Sequence, residues 1–207
     1  MVVDDHAIVR QGLAELINDQ DDLITCGEAD SPPVAMKEIT ATKPDVVVVD
    51  ITLNGGDGIE LCRQIHERWP KLPILVLSMH DETMYAERVL RAGATGYVMK
   101  QEPQEKVMAA IRRVLTGETY LSDAMASKLL RSFSGRTDAD ASPLERLSDR
   151  ELQIFRMIGQ GQSVRAIAEA LFLSPKTVET HKEHIKQKLG LNTSNDLLRY
   201  AIEARLS

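Results

Sequence analysis

The sequence predicts an open α/β domain built on a five-stranded parallel sheet, followed by a small all-α domain. Three observations carry this reading. Val2-Val3, Val46–Val49 and Ile74–Leu77 are apolar at every position, as strands buried on both faces require. These runs alternate with stretches of helical period through residues 1–118. Beyond residue 143 the period is helical throughout.

The elements follow in order. Val2-Val3 is the first strand, and Ile8, Leu13, Leu16 and Ile17 mark an amphipathic helix. Leu23 to Glu28 reads as a second strand and Val34 to Thr40 as its helix. Val46–Val49 is the third strand; the helix from Gly58 to Arg68 stops at Pro70. Ile74–Leu77 is the fourth strand, and the helix from Glu82 to Ala92 ends at Gly93. Tyr97-Val98-Met99 is the fifth, and the helix from Glu105 to Leu115 ends at Gly117. Right-handed crossovers then place helices on both sheet faces. Residues 122–133 form another helix, and Ser134 to Pro143, with no apolar stripe, is a flexible linker. Ser148 and Glu151 fit a capping box ahead of a helix with Leu152, Phe155 and Ile158 inside. Val164 to Leu171 is a short second helix. Ser174-Pro175 opens a third that runs to Leu189 and stops at Gly190. Thr193 or Ser194 caps a fourth carrying Leu197, Leu198, Ala201 and Ile202. The domains are therefore 1–118, a helix and linker over 119–143, and 144–207.

At 207 residues, 43% hydrophobic and 27% charged, the composition is that of a soluble globular protein. No apolar run can cross a bilayer and no signal pattern opens the chain, so the cytoplasm is expected and no membrane partner. Cys26 and Cys62 have no metal or redox spacing and read as two buried thiols. The net charge of −6 divides as −8 over residues 1–118, 0 over 119–143 and +2 over 144–207. A pI near 5.4 speaks against nucleic acid binding for the whole chain, and the split weakens that objection.

Acidic residues end two of the valine strands: Asp4-Asp5 after the first and Asp50 after the third. Ligands of open α/β sheets bind at the carboxyl ends of strands. If these strands are neighbours, three carboxylates share one crevice and invite a hard divalent cation, most plausibly Mg²⁺.

Asp4-Asp5, Asp50, Ser78 and Lys100 stand at or just beyond strand ends in the order found in receiver domains of bacterial two-component response regulators. Ser78-Met79-His80 and Ala92-Gly93-Ala94-Thr95-Gly96-Tyr97 before Met99-Lys100, with the helical end, resemble the NarL/FixJ branch over nearly the whole chain. Each motif is weak alone; five in order are specific. The resemblance implies a flavodoxin-like, doubly wound fold and a phosphoacceptor at Asp50. Asp4, Asp5, Asp50 and the backbone carbonyl of Thr52 would hold Mg²⁺. Lys100 would bind a phosphoryl oxygen, and Ser78 with Tyr97 would form the switch. Three departures stand out: Asn54-Gly55-Gly56 where the family has a proline, a first strand starting very near Asp4, and Gln101 in place of a common proline.

Bland readings compete with each residue. A lone lysine such as Lys100 is more often solvated, Tyr97 alone more often packs, and Asp4-Asp5 alone caps a turn. Their joint placement at strand ends inverts those odds. A dehalogenase-type phosphatase would need an acid where Thr52 stands, so no enzyme is expected. A calcium loop from Asp50 fails at Leu61, and no GxxxxGK run exists.

The second and third C-terminal helices resemble the helix-turn-helix of LuxR-type DNA-binding domains, with Val178, Ile185 and Leu189 inside. Lys176, Lys182, Lys186 and Lys188 are candidate phosphate contacts, and Arg165 a backbone contact. Thr177, Glu179, Thr180 and Glu183 complete the candidate DNA face; Thr180 suits a thymine methyl and Glu183 a cytosine amino group. A solvated face explains any single lysine equally well. His181 and His184 lack a third ligand in the sequence and read as packing or solvent residues. The expected function is a response regulator whose Asp50 receives phosphate from a cognate histidine kinase. Phosphorylation would favour a homodimer and binding to promoter DNA. The alternative is a constitutive DNA-binding regulator with an unphosphorylated, receiver-like dimerisation module.

Overall fold

The computed structural model describes residues 1–53, 56–79, 82–133 and 143–206 and divides the chain into two compact units, one on either side of residues 134–142. The expected linker therefore lies almost wholly outside the described residues. Among them, no helix is long and apolar enough to cross a membrane.

In the first unit, β1 (Val2–Val3), β2 (Glu28–Ala29), β3 (Val47–Val49), β6 (Ile74–Ser78) and β7 (Gly96–Met99) form a parallel sheet ordered β2-β1-β3-β6-β7. An antiparallel ribbon of β4 (Thr52–Leu53) and β5 (Gly56–Asp57) follows β3. Apart from this ribbon the strand order is the 2-1-3-4-5 of doubly wound flavodoxin-like sheets. The register aligns Val3 with Val49, so β1 and β3 end level, and Val49 with Val76, so β6 runs two residues further, to Ser78, which pairs with Met99 at the end of β7.

Alternation sends successive side chains to opposite faces. Val2, Val48, Leu75, Leu77 and Val98 pack with Leu13 and Ile17 of α1 (Ala7–Asn18) and with Val107, Ile111 and Val114 of α5 (Gln104–Leu115). Val47, Val49, Ile74 and Val76 are out of phase and are buried on the other face. There lie α2 (Pro32–Thr42), α3 (Gly58–Arg68) and α4 (Glu82–Arg91). α6 (Asp123–Phe133) packs on α4, and Ser122 N–H donates to Glu82 Oε1 at 2.9 Å.

Three expectations shift. The second strand is confined to Glu28–Ala29, with Gly27 adding its carbonyl, which accepts from Val2 N–H at 3.0 Å; the preceding Ile24 is 80% exposed and lies off the edge. Ile8 points outward from α1. Cys62 is buried, its thiol pushed up to about 12 by burial, but Cys26 is exposed.

The second unit begins with a 3₁₀ turn, Pro143–Arg146, that the sequence reading did not foresee. Four helices follow: α7 (Asp149–Gly159), α8 (Val164–Ala170), α9 (Pro175–Leu189) and α10 (Ser194–Leu206). The capping box is present, with Ser148 N–H on Glu151 Oε2 at 2.7 Å and Glu151 N–H on Ser148 Oγ at 3.3 Å. Ser163 and Ser174 cap α8 and α9, and Gly190 closes α9 in the left-handed region. Thr193 caps α10 through Asp196. Leu152, Phe155, Ile158, Ile167, Val178 and Ile185 are buried, while Leu198 and Ile202 lie on the outer side of α10.

Gly58 shapes the crevice from below. A Cβ there would fall 2.2 Å from the Asp50 carbonyl oxygen and 2.6 Å from Ile51 Cα, both rigid backbone. Gly58→Ala should destabilise the first unit by about 3 kcal/mol. Urea unfolding followed through Trp69 measures this, and an unchanged midpoint would refute the packing assignment.

Candidate functional site

The carboxyl ends of the parallel strands create the site. The ladder continues one residue past each strand: Asp4 N–H donates to Ala29 O, Asp50 N–H to Val3 O and Lys100 N–H to Ser78 O. Asp4, Asp5 and Asp50 are thereby fixed at one rim of the sheet, with Ser78 and Lys100 on neighbouring strands. Lys100 reaches across it: Nζ donates to Asp4 Oδ2 at 2.5 Å and to Asp50 Oδ2 at 2.8 Å. All three side chains are buried, Lys100 at 9% exposure and Asp50 at 5%. The second Asp50 oxygen accepts only a long bond, 3.3 Å, from Thr52 N–H.

Burial drives the electrostatics. It pushes the Asp50 carboxyl above the ordinary carboxylate value; Lys100 pulls it down, and the Asp4 charge pushes it up again. Burial alone would depress Lys100, but its bonds to Asp4 and Asp50 outweigh that and hold it above the usual lysine value. The ammonium therefore stays charged at neutral pH.

Two residues join this cluster that sequence reasoning did not include. His6 N–H donates to Asp4 Oδ1, and its Nδ1 approaches Asp5 Oδ1 at 2.7 Å. That approach lacks hydrogen-bond alignment, so the buried Asp5 oxygen has no donor. Asp4, Asp5, His6 and Asp50 bring one ligating atom each within 4.8 Å of one another. Arg10, from α1, donates to the Asp4 carbonyl at 2.7 Å and lies 3.3 Å from Glu28 on β2, tying down the loop that carries the acids. Its position six residues past Asp4, where the first helix begins, was the available signal. An orphaned carboxylate oxygen beside two buried carboxylates fits a hard divalent cation.

Ser78 and Tyr97 are fully buried, at the end of β6 and within β7. Tyr97 lies inward and pairs in register with Val76. Asn54, Gly55 and His80 are outside the described residues. The Lys100–Gln101 peptide is trans.

In the second unit, α8, a turn and α9 form the helix-turn-helix. Arg165, Lys176, Glu179, Thr180 and Glu183 are exposed. Lys182 pairs with Glu179 at 3.0 Å and Lys186 with Glu183 at 2.9 Å, so these cations are shared with the acids beside them. Thr177 bonds Ser174 Oγ within the cap, and the Thr180 hydroxyl donates to Lys176 O. Lys188 is taken by Glu151 at 2.6 Å. Burial raises the Glu151 carboxyl, but bonds from Lys188 and Ser148 outweigh it and hold it below the ordinary value.

Comparison with known proteins places these features. Residues 1–112 match the response regulator receiver domain family, and residues 145–201 match the luxR family of bacterial regulatory proteins. The chain is 38% identical over 211 residues to the oxygen regulatory protein NreC of Staphylococcus carnosus, covering 100% of this chain and 97% of that one. The RcsB response regulator of Salmonella typhimurium superposes with a TM-score of 0.73 at 27% identity, covering 98% and 95% of the two chains. RcsB bound to the P1flhDC promoter with the phosphomimetic BeF₃⁻ gives 0.69 at 27% identity, covering 97% and 96%.

Lys100→Met should cost the first unit about 3 kcal/mol at pH 7, since it leaves buried carboxylates unpaired. Millimolar Mg²⁺ should restore more stability to this variant than to the wild type. Trp69 fluorescence during unfolding reads both, and equal stability without metal would show that Lys100 carries no charge balance. Glu151 gives a pH dependence in the second unit. Its folded value lies below the ordinary one, so its contribution is complete above the unfolded value of roughly 4.3 and is lost as pH falls through the folded value. The deficit of Glu151→Gln against wild type, read by far-ultraviolet melting, should shrink from pH 6 to pH 3. A constant deficit would remove the ionised carboxylate from the account.

Proposed function

Because the chain belongs to the bacterial response regulators that join a receiver domain to a LuxR-type DNA-binding domain, we propose that Asp50 is its phosphoacceptor and controls its hold on promoter DNA. The observation that carries the assignment is the Lys100 ammonium shared by Asp4 and Asp50 at the carboxyl rim of the sheet. A carboxylate oxygen of Asp50 attacks phosphorus of a phosphohistidine on the cognate histidine kinase. The new O–P bond forms as the P–N bond breaks and the imidazole leaves. Asp4, Asp5, Asp50 and the Thr52 carbonyl would hold Mg²⁺, which neutralises charge as the phosphoryl oxygens approach. Lys100 turns from the Asp50 carboxylate to a phosphoryl oxygen. Ser78 donates its hydroxyl proton to another, and buried Tyr97 holds the inward position that accompanies the shift.

The missing acid at Thr52 supports a switch that keeps its phosphate over an enzyme that turns it over. In the second unit, Lys176, Lys182, Lys186 and Arg165 would meet the DNA backbone, while Glu179, Thr180 and Glu183 face bases. The RcsB complex, a related regulator on its promoter with a phosphomimetic, supports the same order of events. We assign the active form to a homodimer on paired half-sites and the protein to the cytoplasm.

Incubation with Mg²⁺ and a small-molecule phosphodonor should add the mass of one phosphoryl group, stable in acid and labile in base. Asp50→Ala should abolish it. A gel-shift on selected DNA, with sedimentation, should show tighter binding and dimer formation with BeF₃⁻. Equal affinity and equal oligomeric state with and without it would refute phosphorylation control.

A further inference from the structure

The helix-turn-helix unit gathers a second set of ligating side chains. His181 and His184 lie one turn apart on α9, and Glu151 comes from the first turn of α7. One ligating atom from each lies within 4.8 Å of the others, which supplies the third ligand that the sequence around the histidines lacks. Glu151 is buried and held in place. Its Oε2 accepts from Lys188 Nζ at 2.6 Å and from Ser148 N–H at 2.7 Å, and its Oε1 lies 4.0 Å from His184 Nδ1. Independently, His181 Nδ1 is buried with no hydrogen-bond partner among the described residues. A buried ring nitrogen in that state costs free energy unless something meets it. Burial holds the His181 imidazole below its usual range, which favours the neutral, metal-binding form at pH 7. His184 is half exposed and opens the cluster to solvent.

We propose that Glu151, His181 and His184 form a binding site for a borderline divalent transition-metal cation, with Zn²⁺ as the reference ion. Two imidazoles and one carboxylate, completed by water, are a nitrogen-rich set that suits Zn²⁺, Co²⁺ or Ni²⁺ and not the hard Mg²⁺ of the receiver. Ligand atoms about 2.1 Å from a tetrahedral ion lie about 3.4 Å apart, so the observed spacing closes by rotation of the exposed His184 side chain. Lys188 shares the Glu151 carboxylate and Arg150 lies near His181, so the ion competes with nearby positive charge. A bound ion pins α9 to α7 and fixes the helix that carries Glu179, Thr180 and Glu183.

The test uses the full chain, stripped by a chelator and titrated with Co²⁺ in excess Mg²⁺, which fills the receiver carboxylates. Expected is one Co²⁺ per chain with visible ligand-field absorption, displaced by Zn²⁺. His184→Ala should weaken binding about 100-fold. His184→Cys, which keeps a donor, should retain the ion with a shifted spectrum. Lys188→Gln should tighten binding by removing the competing ammonium, and Asp5→Asn should leave the spectrum unchanged. Absent absorption, a titration unaltered by His184→Ala, or a spectrum lost in Asp5→Asn would overturn the proposal.

Discussion

One buried ammonium governs the receiver unit. The sheet brings Asp4 and Asp50 to adjacent strand ends, where hydration is poor and their mutual repulsion strong. Lys100, two strands away from Asp50, is the cation that answers both. Its reach across β6 depends on the parallel register of β3, β6 and β7, in which β6 and β7 run two residues beyond the end of β3 and Lys100 leans back over Asp50, so hydrophobic register determines electrostatic geometry. The balance is incomplete. Asp5 retains a buried oxygen without a donor, and the Asp50 carboxyl stays above its ordinary value despite the lysine. An incompletely balanced acidic crevice takes up a metal and a phosphoryl group more readily than one fully satisfied.

Much of this was legible in the residues, for identifiable reasons. The apolar runs that form Val47–Val49 and Ile74–Ser78 had no competing helical reading, and both strands are fully buried. Gly93 and Gly190 mark helix ends because each adopts a positive φ. The second strand was misplaced because an edge strand is defined by its pairing, and apolar content alone put it at Leu23–Glu28. The ribbon over Thr52–Asp57 left no hydrophobic pattern to read. At the site, strand ends announced the acids, but Arg10 acts on a backbone carbonyl, a contact marked in the sequence only by its spacing from Asp4. Glu151 was read only as a cap. Its proximity to His181 and His184 depends on how α7 packs on α9, which local periodicity does not encode.

Helix α9, proposed above to meet DNA, combines acidic and basic residues in a fixed geometry. Glu179 and Glu183 occupy one face four residues apart, and each carboxylate is met by a lysine three residues on. Carboxylates entering a major groove would be repelled by phosphates. Neutralising each through its own lysine lowers that penalty and keeps a carboxylate oxygen for a base donor. The same lysines then cannot give their full charge to the backbone. On the proposed reading this arrangement would favour sequence discrimination over raw affinity, in line with a C-terminal region carrying only +2.

Asp50 and Glu151 show how one chemistry is turned to two ends. Each is a buried carboxylate whose one oxygen is held by a lysine from a distant element, Lys100 at 2.8 Å and Lys188 at 2.6 Å. They diverge in their remaining partners. Glu151 also receives the Ser148 main-chain N–H at 2.7 Å, with no acid beside it, and its carboxyl falls below the ordinary value. Asp50 receives only the 3.3 Å bond from Thr52, has Asp4 for a neighbour, and rises above it. Two short donors make a carboxylate a structural anchor for a helix. One shared donor and a facing charge leave the Asp50 carboxylate less fully satisfied, which is what the proposed phosphoacceptor role would need. The reactivity proposed for Asp50 would therefore arise from what its surroundings withhold, and the same fold that buries it determines how little it is given.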